Sequence, residues 1–312
     1  MKILVTGGAG FIGSHIVEHF QGQAEVRVLD NLRSGYKHNL AGLAHEFIEA
    51  SILDRDAVRR AVQGVDYIFH LAAMISVPES MAKPVECNEM NTTGTLIVLE
   101  EAAKAGVKKL VLSSSAAIYG DNPMVPKIET MLPEPKSPYA ITKLYGEFYC
   151  QMFAHEGRLQ TACLRYFNVF GPRQDPGSQY AAAVPIFIHR ALKNEPITIY
   201  GDGEQTRDFI FVKDIAAANA HMALHPEAAG VFNVAYGGKI TINELCQTIC
   251  RLTGSLSEVK YAAERPGDVK HSMAAVEKIR GAGLKHHWNL PEGLKATIEY
   301  FRNNSKPEQP KT

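Results

Sequence analysis

The sequence predicts an α/β protein, a doubly wound parallel sheet joined to a smaller mixed α/β portion, and three observations predict it. Short aliphatic runs, "KILVTG", "EVRVLD", "VDYIFHLAA" and "KKLVLSSS", alternate with segments of helical period at Phe11 to Phe20, Asp54 to Gln63 and Asn88 to Ala105. Alternation of this kind implies parallel strands linked by helical crossovers. After "LRYFNVFGPRQDP" the texture becomes irregular and rich in Gly and Pro, which places a change of domain near Asn168. Finally, 312 residues with 46% hydrophobic and 21% charged composition suffice to bury a core without disulfide support.

The expected division is 1–167 and 168–312, with "RDFIFVKDIAAANAHMAL" and "GVFNVA" returning to the first domain over about 209–236. Helices are expected at Ala183 to Lys193 and at Ile242 to Leu252, the latter opened by a capping box from Thr241 to Glu244. The tail "NNSKPEQPKT" reads as frayed. Lys plus Arg and Asp plus Glu number 33 each, so no global field attracts nucleic acid or an anionic membrane, and a small-molecule site is expected. The five cysteines are odd in number and scattered, which argues against a disulfide framework. Cys246 and Cys250 lie four apart on a helix without further ligands at metal-binding spacing, so no metal is expected. The start "MKILVTGG" runs directly into a strand and no stretch of about 18 apolar residues occurs, which points to the cytoplasm.

"VTGGAGFIG" sets Gly7, Gly10 and Gly13 between the first strand and the first helix. Glycines so spaced permit a tight turn, close approach of a pyrophosphate and close packing of helix on strand, while the helix N-terminus offers free N–H groups. Asp30 closes the second strand at the distance where a Rossmann dinucleotide fold places the acid that binds the adenosine ribose. Its carboxylate repels a 2′-phosphate, so NAD is expected over NADP, although Arg33 nearby is of a type that greets such a phosphate.

In "SPYAITKLYGE", Tyr139 and Lys143 lie four apart and project from one helix face. An ammonium near a phenol stabilises the phenolate, lowering a pKa of about 10 toward neutrality so that the tyrosine can take a proton from an alcohol. Three serines close the strand "LVLSSS", where polar side chains at the end of a buried parallel strand point to a ligand.

The order "TGGAGFIG", "HLAA", "SSSAAIYG", YxxxK and "LRYFN" resembles the extended short-chain dehydrogenase/reductase family over nearly the whole chain. "RYFNVFGPRQDP", "YGDGEQTRDFIFVKDI" and "RPGDVKHS" narrow the likeness to its UDP-hexose 4-epimerases, especially those acting on UDP-N-acetylhexosamines. The resemblance implies that Ser115, with Tyr139 and Lys143, is catalytic and shares a hydrogen bond with the substrate's 4-hydroxyl. Tyr139 as phenolate would take that proton while the C4 hydride moves to NAD, and the 4-keto sugar would swing about its diphosphate and be reduced on the other face. Sugar-nucleotide dehydratases and decarboxylases carry acids just after the hydroxyl residue. This chain has Ala116 and Ala117, which leaves epimerisation.

On the cofactor side the resemblance assigns Phe11 and Ile12, Asn31, Leu71, Ala72 and Ala73 under the pyrophosphate, Asn91, Tyr139, Lys143 and Tyr166. It also assigns Ser51 and Ile52 to the adenine, with Ser51 standing where the family usually has Asp. For the substrate it assigns Asn168, Arg207 and Arg265 to the phosphates, Asp268 to the uridine ribose, and Tyr200 with Thr198 to the uracil side. Paired guanidinium donors suit phosphate. Ser272, four beyond Asp268, falls where epimerases confined to UDP-glucose and UDP-galactose carry tyrosine, and its small side chain leaves room for an N-acetyl group. UDP-GlcNAc/UDP-GalNAc are therefore the expected substrates, with UDP-Glc/UDP-Gal also turned over. A UDP-hexuronate 4-epimerase is the alternative, and a non-catalytic NAD-sensing protein is a further one. His70 and Trp288 read as packing residues. The helices at Asn88 to Ala105 and Tyr139 to Glu156 are expected to form a homodimer interface, as in the family.

Overall fold

The computed structural model describes residues 1–177, 182–264 and 270–304. Strands β1 (Lys2–Thr6), β2 (Glu25–Asp30), β3 (Glu46–Glu49), β4 (Tyr67–His70), β5 (Lys109–Ser115) and β6 (Gln160–Tyr166) form most of the central sheet. A seventh strand, Gly230–Val234, joins it beside β6, and all seven run parallel in the order Gly230–Val234, β6, β5, β4, β1, β2, β3. The order reverses between β1 and β4. That is the switch point, where the strand ends diverge into a crevice.

Helix α1 (Phe11–His19) packs on one face of this sheet, and α2 (Arg55–Ala61) on the other. The helices α3 (Val77–Ala82), α4 (Pro84–Asn88), α5 (Gly94–Lys104) and α6 (Pro138–His155) follow. Strand residues alternate between two cores because successive side chains leave opposite faces. Ile3 and Val5 join Ile16, Val17 and Met222 on one face, while Leu4 joins Val58, Val98 and Phe153 on the other. Both faces are covered, which is why these strands read as continuous aliphatic runs.

The helix expected from Asn88 starts earlier and is not uniform: α4 passes through a wide π turn at Glu89–Thr93 into α5. Such turns often mark functional positions, and this one carries Asn91.

The remaining chain builds small two-stranded sheets. β7 (Asn168–Phe170), then α7 (Ala183–Leu192), β8 (Ile197–Tyr200), β9 (Thr206–Arg207) and β10 (Phe209–Phe211) lead to α8 (Val212–Leu224) and to β11, the Gly230–Val234 strand already placed. β12 (Ile240–Thr241), α9 (Ile242–Thr253), β13 (Val259–Ala262), α10 (Glu277–Gly281) and α11 (Leu290–Asn304) complete it. The Thr241–Glu244 capping box forms at the start of α9, with both reciprocal hydrogen bonds made. Of the segment 209–236, expected to return as a whole, α8 packs against α1 and β11 joins the central sheet. β10 instead pairs with β7, Phe209 opposite Asn168, because Phe209 and Phe211 pack with Phe170 in the outer core. Trp288 packs its ring 4.7 Å from that of Phe211. The tail 305–312 lies outside the described residues.

Candidate active site

The glycine turn is built by backbone proximity. Gly7 takes a left-handed φ of 72° and donates its N–H to the Leu29 carbonyl at 2.9 Å. A Cβ on Gly13 would stand 2.2 Å from the Gly7 carbonyl oxygen, so no side chain fits between α1 and β1. Gly10 caps α1 without a side-chain bond to its first N–H groups. Asp30 is buried, its two oxygens accepting from Ala9 N at 2.9 Å and Leu32 N at 2.8 Å. Each oxygen keeps a second lone pair, as bonding to two ribose hydroxyls demands. Burial pushes this carboxyl above its usual range, the two N–H bonds acting the other way. A cradle too tight for any Cβ, beside a carboxylate with spare acceptors, fits a dinucleotide.

Arg33 does not reach toward a 2′-phosphate. Its guanidinium is bound to Glu86 and, at 2.8 Å, to Glu79. Asn31 is exposed and accepts from Arg33 N. Phe11 and Ile12, half-buried at the start of α1, pack against the outer core. Leu71, Ala72 and Ala73 follow β4 half-buried, Leu71 and Ala72 donating N–H groups to Thr6 Oγ1.

Three of the residues expected at the cofactor have side chains engaged within the protein. Ile52 is buried in the core with its Cδ1 against Gly94, and Ser51 Oγ accepts from Leu53 N at 3.1 Å. Asn91 exchanges hydrogen bonds with the Met74 main chain at 2.7 and 3.0 Å and donates to Thr142 Oγ1 at 3.0 Å. It thereby shapes the 71–74 segment. The Tyr166 hydroxyl is paired with the Asn219 amide at 2.9 Å. Burial pushes this phenol up, with Asn219 and Ser113 acting the other way.

The expected catalytic pair lies on α6, whose N-terminus is fixed by Ser137 accepting from Ala140 N and by Pro138 in its first turn. Tyr139, Lys143 and Glu147 follow at intervals of four, and each meets one of the three serines ending β5. Ser115 faces the Tyr139 phenol and acts to lower its pKa. Lys143 Nζ donates to the Ser113 carbonyl at 2.8 Å. Ser114 Oγ donates to Glu147 Oε1 at 2.5 Å. The helix is thus registered on the strand turn by turn.

In the protein alone, burial dominates the electrostatics of this pair. Burial holds the Tyr139 phenol above its ordinary range, Ser115 opposing, and burial draws Lys143 down to about 8. Lys143 Nζ is drawn to the Ser113 carbonyl and sits 5.8 Å from the tyrosine ring centroid. Desolvation outweighs the cation's pull. His70 hydrogen-bonds Thr6 and Thr95 and is held neutral, its pKa lowered to about 3 by burial first and by Lys143 second. With Ala72, Thr142 and Lys143 it lines a small cleft at the switch point.

On the substrate side, Asn168 opens β7 and donates both its N–H and its side-chain amide to the Asp208 carbonyl. Arg207 ends β9, half-buried. Ser272 lies alongside, its N–H donated to the Thr206 carbonyl at 3.1 Å. These three come together. Thr198 and Tyr200 stand on the exposed face of β8, where Gln205 ties to the Tyr200 carbonyl at 2.7 Å. Arg265 and Asp268 lie outside the described residues.

Several supporting residues escaped sequence reasoning. Ser80 accepts from Tyr139 N at 3.2 Å and fixes the start of α6. Arg165 clasps Glu147 with two donors at 2.9 and 2.8 Å, both residues buried. Glu147 was reachable as the next turn of the Tyr139–Lys143 stripe, whereas Ser80 carried no local signal. Cys246 and Cys250 are free, and among the described residues no three His, Cys, Asp or Glu side chains gather as metal ligands. Among those residues no helix is long and apolar enough to cross a membrane.

A dinucleotide crevice with a tyrosine and a lysine on its wall is the arrangement of an NAD-dependent enzyme of the Rossmann type. Residues 3–235 match the NAD dependent epimerase/dehydratase family, and the chain belongs to it. It is 43% identical to a UDP-glucose 4-epimerase from Thermotoga maritima solved with UDP-glucose, with a TM-score of 0.93 over 98% of this chain and 100% of that one. A UDP-N-acetylglucosamine 4-epimerase from Methanobrevibacter ruminantium, in complex with UDP-N-acetylmuramic acid, is 42% identical with a TM-score of 0.94, over 97% and 98% of the two chains. The UDP-glucose 4-epimerase of Mycolicibacterium smegmatis is 36% identical over 98% of this chain and 100% of its own.

Proposed function

We propose that this NAD-dependent UDP-sugar 4-epimerase inverts C4 of UDP-GlcNAc and UDP-GalNAc, and also turns over UDP-Glc and UDP-Gal. The observation that carries the substrate choice is Ser272, a small side chain on a segment fastened by main-chain bonds beside Asn168 and Arg207. A wall that is both small and fixed leaves space for a 2-acetamido group.

Gly7, Gly10, Gly13 and Asp30 would hold NAD, which supplies the hydride acceptor and donor for C4 when bound. Tyr139 is the base, with Ser115 as the hydroxyl that relays or shares the proton of the 4-hydroxyl. Lys143 keeps α6 and β5 in register through the Ser113 carbonyl and presents a cation to the phenol. Ala116 and Ala117, which open the 3-10 turn after Ser115, supply no acid to expel water. Asn168 and Arg207, with Arg265 and Asp268, grip the UDP, the part of the substrate that the cycle leaves unchanged, so binding energy does not tether the sugar that must turn over.

The protein acts as a homodimer in this reading. Ile141, Tyr145, Phe148 and Met152 form an exposed apolar stripe along α6 at helical spacing, continued by Met81 and Val85 on α3 and α4. A second copy of the same face is its natural cover.

The test is to incubate the protein separately with UDP-GlcNAc, UDP-Glc and UDP-GlcA and resolve the products. Conversion of the first two with UDP-GlcA unchanged is expected. Conversion of UDP-Glc alone would overturn the acetamido reading. Ser272→Tyr should then reduce UDP-GlcNAc turnover by at least about tenfold more than UDP-Glc turnover, a steric difference of ordinary size. Equal loss on both pairs would remove Ser272 from its role as the wall.

A further inference from the structure

Directly after Arg207 stands a carboxylate that touches no reacting group. Asp208 has no exposed surface, and its oxygens accept from main-chain N–H groups: Tyr236 N at 3.0 Å, Gly237 N at 3.2 Å to each oxygen, and Ala274 N at 3.2 Å. Burial pushes it up to about 6, with the N–H bonds from Ala274, Gly237 and Tyr236 acting the other way. A buried charge whose desolvation is not fully offset is costly to keep.

What that cost secures is convergence. Asp208 stands at the β9–β10 junction, and its carboxylate ties that junction to two segments distant in sequence, the turn after β11 at 236–237 and the segment carrying Ser272. Around it the remaining pieces fall into place. Thr206 N donates to the Lys270 carbonyl and Ser272 N to the Thr206 carbonyl, so the Ser272 segment is held by the strand of Arg207 before the serine and by Asp208 after it. Lys127 clamps the same segment from its other side, donating to the Met273 carbonyl and accepting from Ala275 N. Asn168 is bonded to the Asp208 carbonyl through two donors.

We infer that Asp208 is a positioning residue of the UDP-sugar site, whose carboxylate fixes the distance between Asn168, Arg207 and the wall at Ser272 and takes no part in proton or hydride transfer. The inference rests on the UDP-sugar reading above. A residue that sets ground-state and transition-state grip equally changes KM and leaves kcat.

The experiment is steady-state kinetics of Asp208→Asn and Asp208→Ser in the full chain with UDP-Glc and UDP-GlcNAc. Bound NAD is measured after gel filtration, and UDP-Glc binding is measured by calorimetry. Loss of charge-assisted bonds to several N–H groups should raise KM and Kd by about tenfold or more, with kcat within about threefold and NAD content unchanged. Serine removes the charge while keeping one acceptor, so it reads out the same role if asparagine, whose amide opposes the N–H groups, fails to fold. Unchanged KM, a fall in kcat of equal size, loss of NAD, or failure of both variants to fold would overturn the positioning role. A wild-type protein that binds no UDP-sugar would overturn the substrate reading itself, which the calorimetry separates from the effect of the variants.

Discussion

The nucleotide edge of the central sheet and the substrate side meet at one crevice but are held together by different means. At the nucleotide edge the work is done by backbone: a left-handed Gly7, a Gly13 with no room for a Cβ, and parallel strand ends in fixed register. On the substrate side short two-stranded sheets and single main-chain bonds are joined across distant segments by one buried carboxylate. The difference matches the demands of the two ligands. A cofactor retained through the cycle suits a rigid cradle, and a substrate that enters and leaves suits a site assembled from separately tethered loops.

The sharpest way to break the comparison is Gly13→Ala. The added methyl meets backbone alone, the Gly7 carbonyl oxygen at 2.2 Å and Gly8 Cα at 2.8 Å, so α1 must move off β1. Activity should fall by about a hundredfold or more, with NAD lost on gel filtration, since small misplacements near a reacting centre cost that much. A variant that keeps its NAD would show the cradle to be softer than the strand register.

Glu147→Gln tests the side-chain bonds that tie α6 to β5 and β6. It leaves the buried Arg165 guanidinium without its counter-charge, and breaking such a pair costs about 3–5 kcal/mol, to be read from urea unfolding. A loss under 1 kcal/mol would show that other groups neutralise Arg165.

The smallest effect is at the seam, where Glu18 of α1 is bound to Arg173 beyond β7 and lies 3.4 Å from His15. The nearby His15 ring and then Arg173 outweigh burial and hold Glu18 at about 2, below its usual 4.5. A carboxyl depressed in the folded state stabilises it above pH 4.5 and loses that contribution as pH falls toward 2. Glu18→Gln should therefore cost about 1 kcal/mol or less at pH 7, because the side chain is 36% exposed, and the gap between variant and wild type should narrow at pH 3. A gap that widens in acid would reverse the sign.

What could be read in the sequence was what is local. The Gly7–Gly13 spacing, Asp30 at the end of β2, and Tyr139 and Lys143 on one face of α6 all depend on periodicity within a single strand–helix step. The supports were hidden because they join residues distant in the chain. Asp208 meets Ala274 66 positions later, Ser80 meets Tyr139 59 later, and Asn91 meets Thr142 51 later. The state of the tyrosine was hidden for a related reason: spacing shows that Lys143 is near, but only the Ser113 carbonyl shows where its ammonium is drawn. The π turn at Glu89–Thr93 has no mark in the hydrophobic pattern, which is helical on both sides of it.

The clasp of Arg33 between Glu79 and Glu86 bears on the choice of cofactor. A phosphorylated adenosine approaching this corner would face Asp30 and a guanidinium whose charge is already answered by two acids. A pocket so charged suits the unphosphorylated ribose of NAD, whose two hydroxyls need acceptors and no added cation.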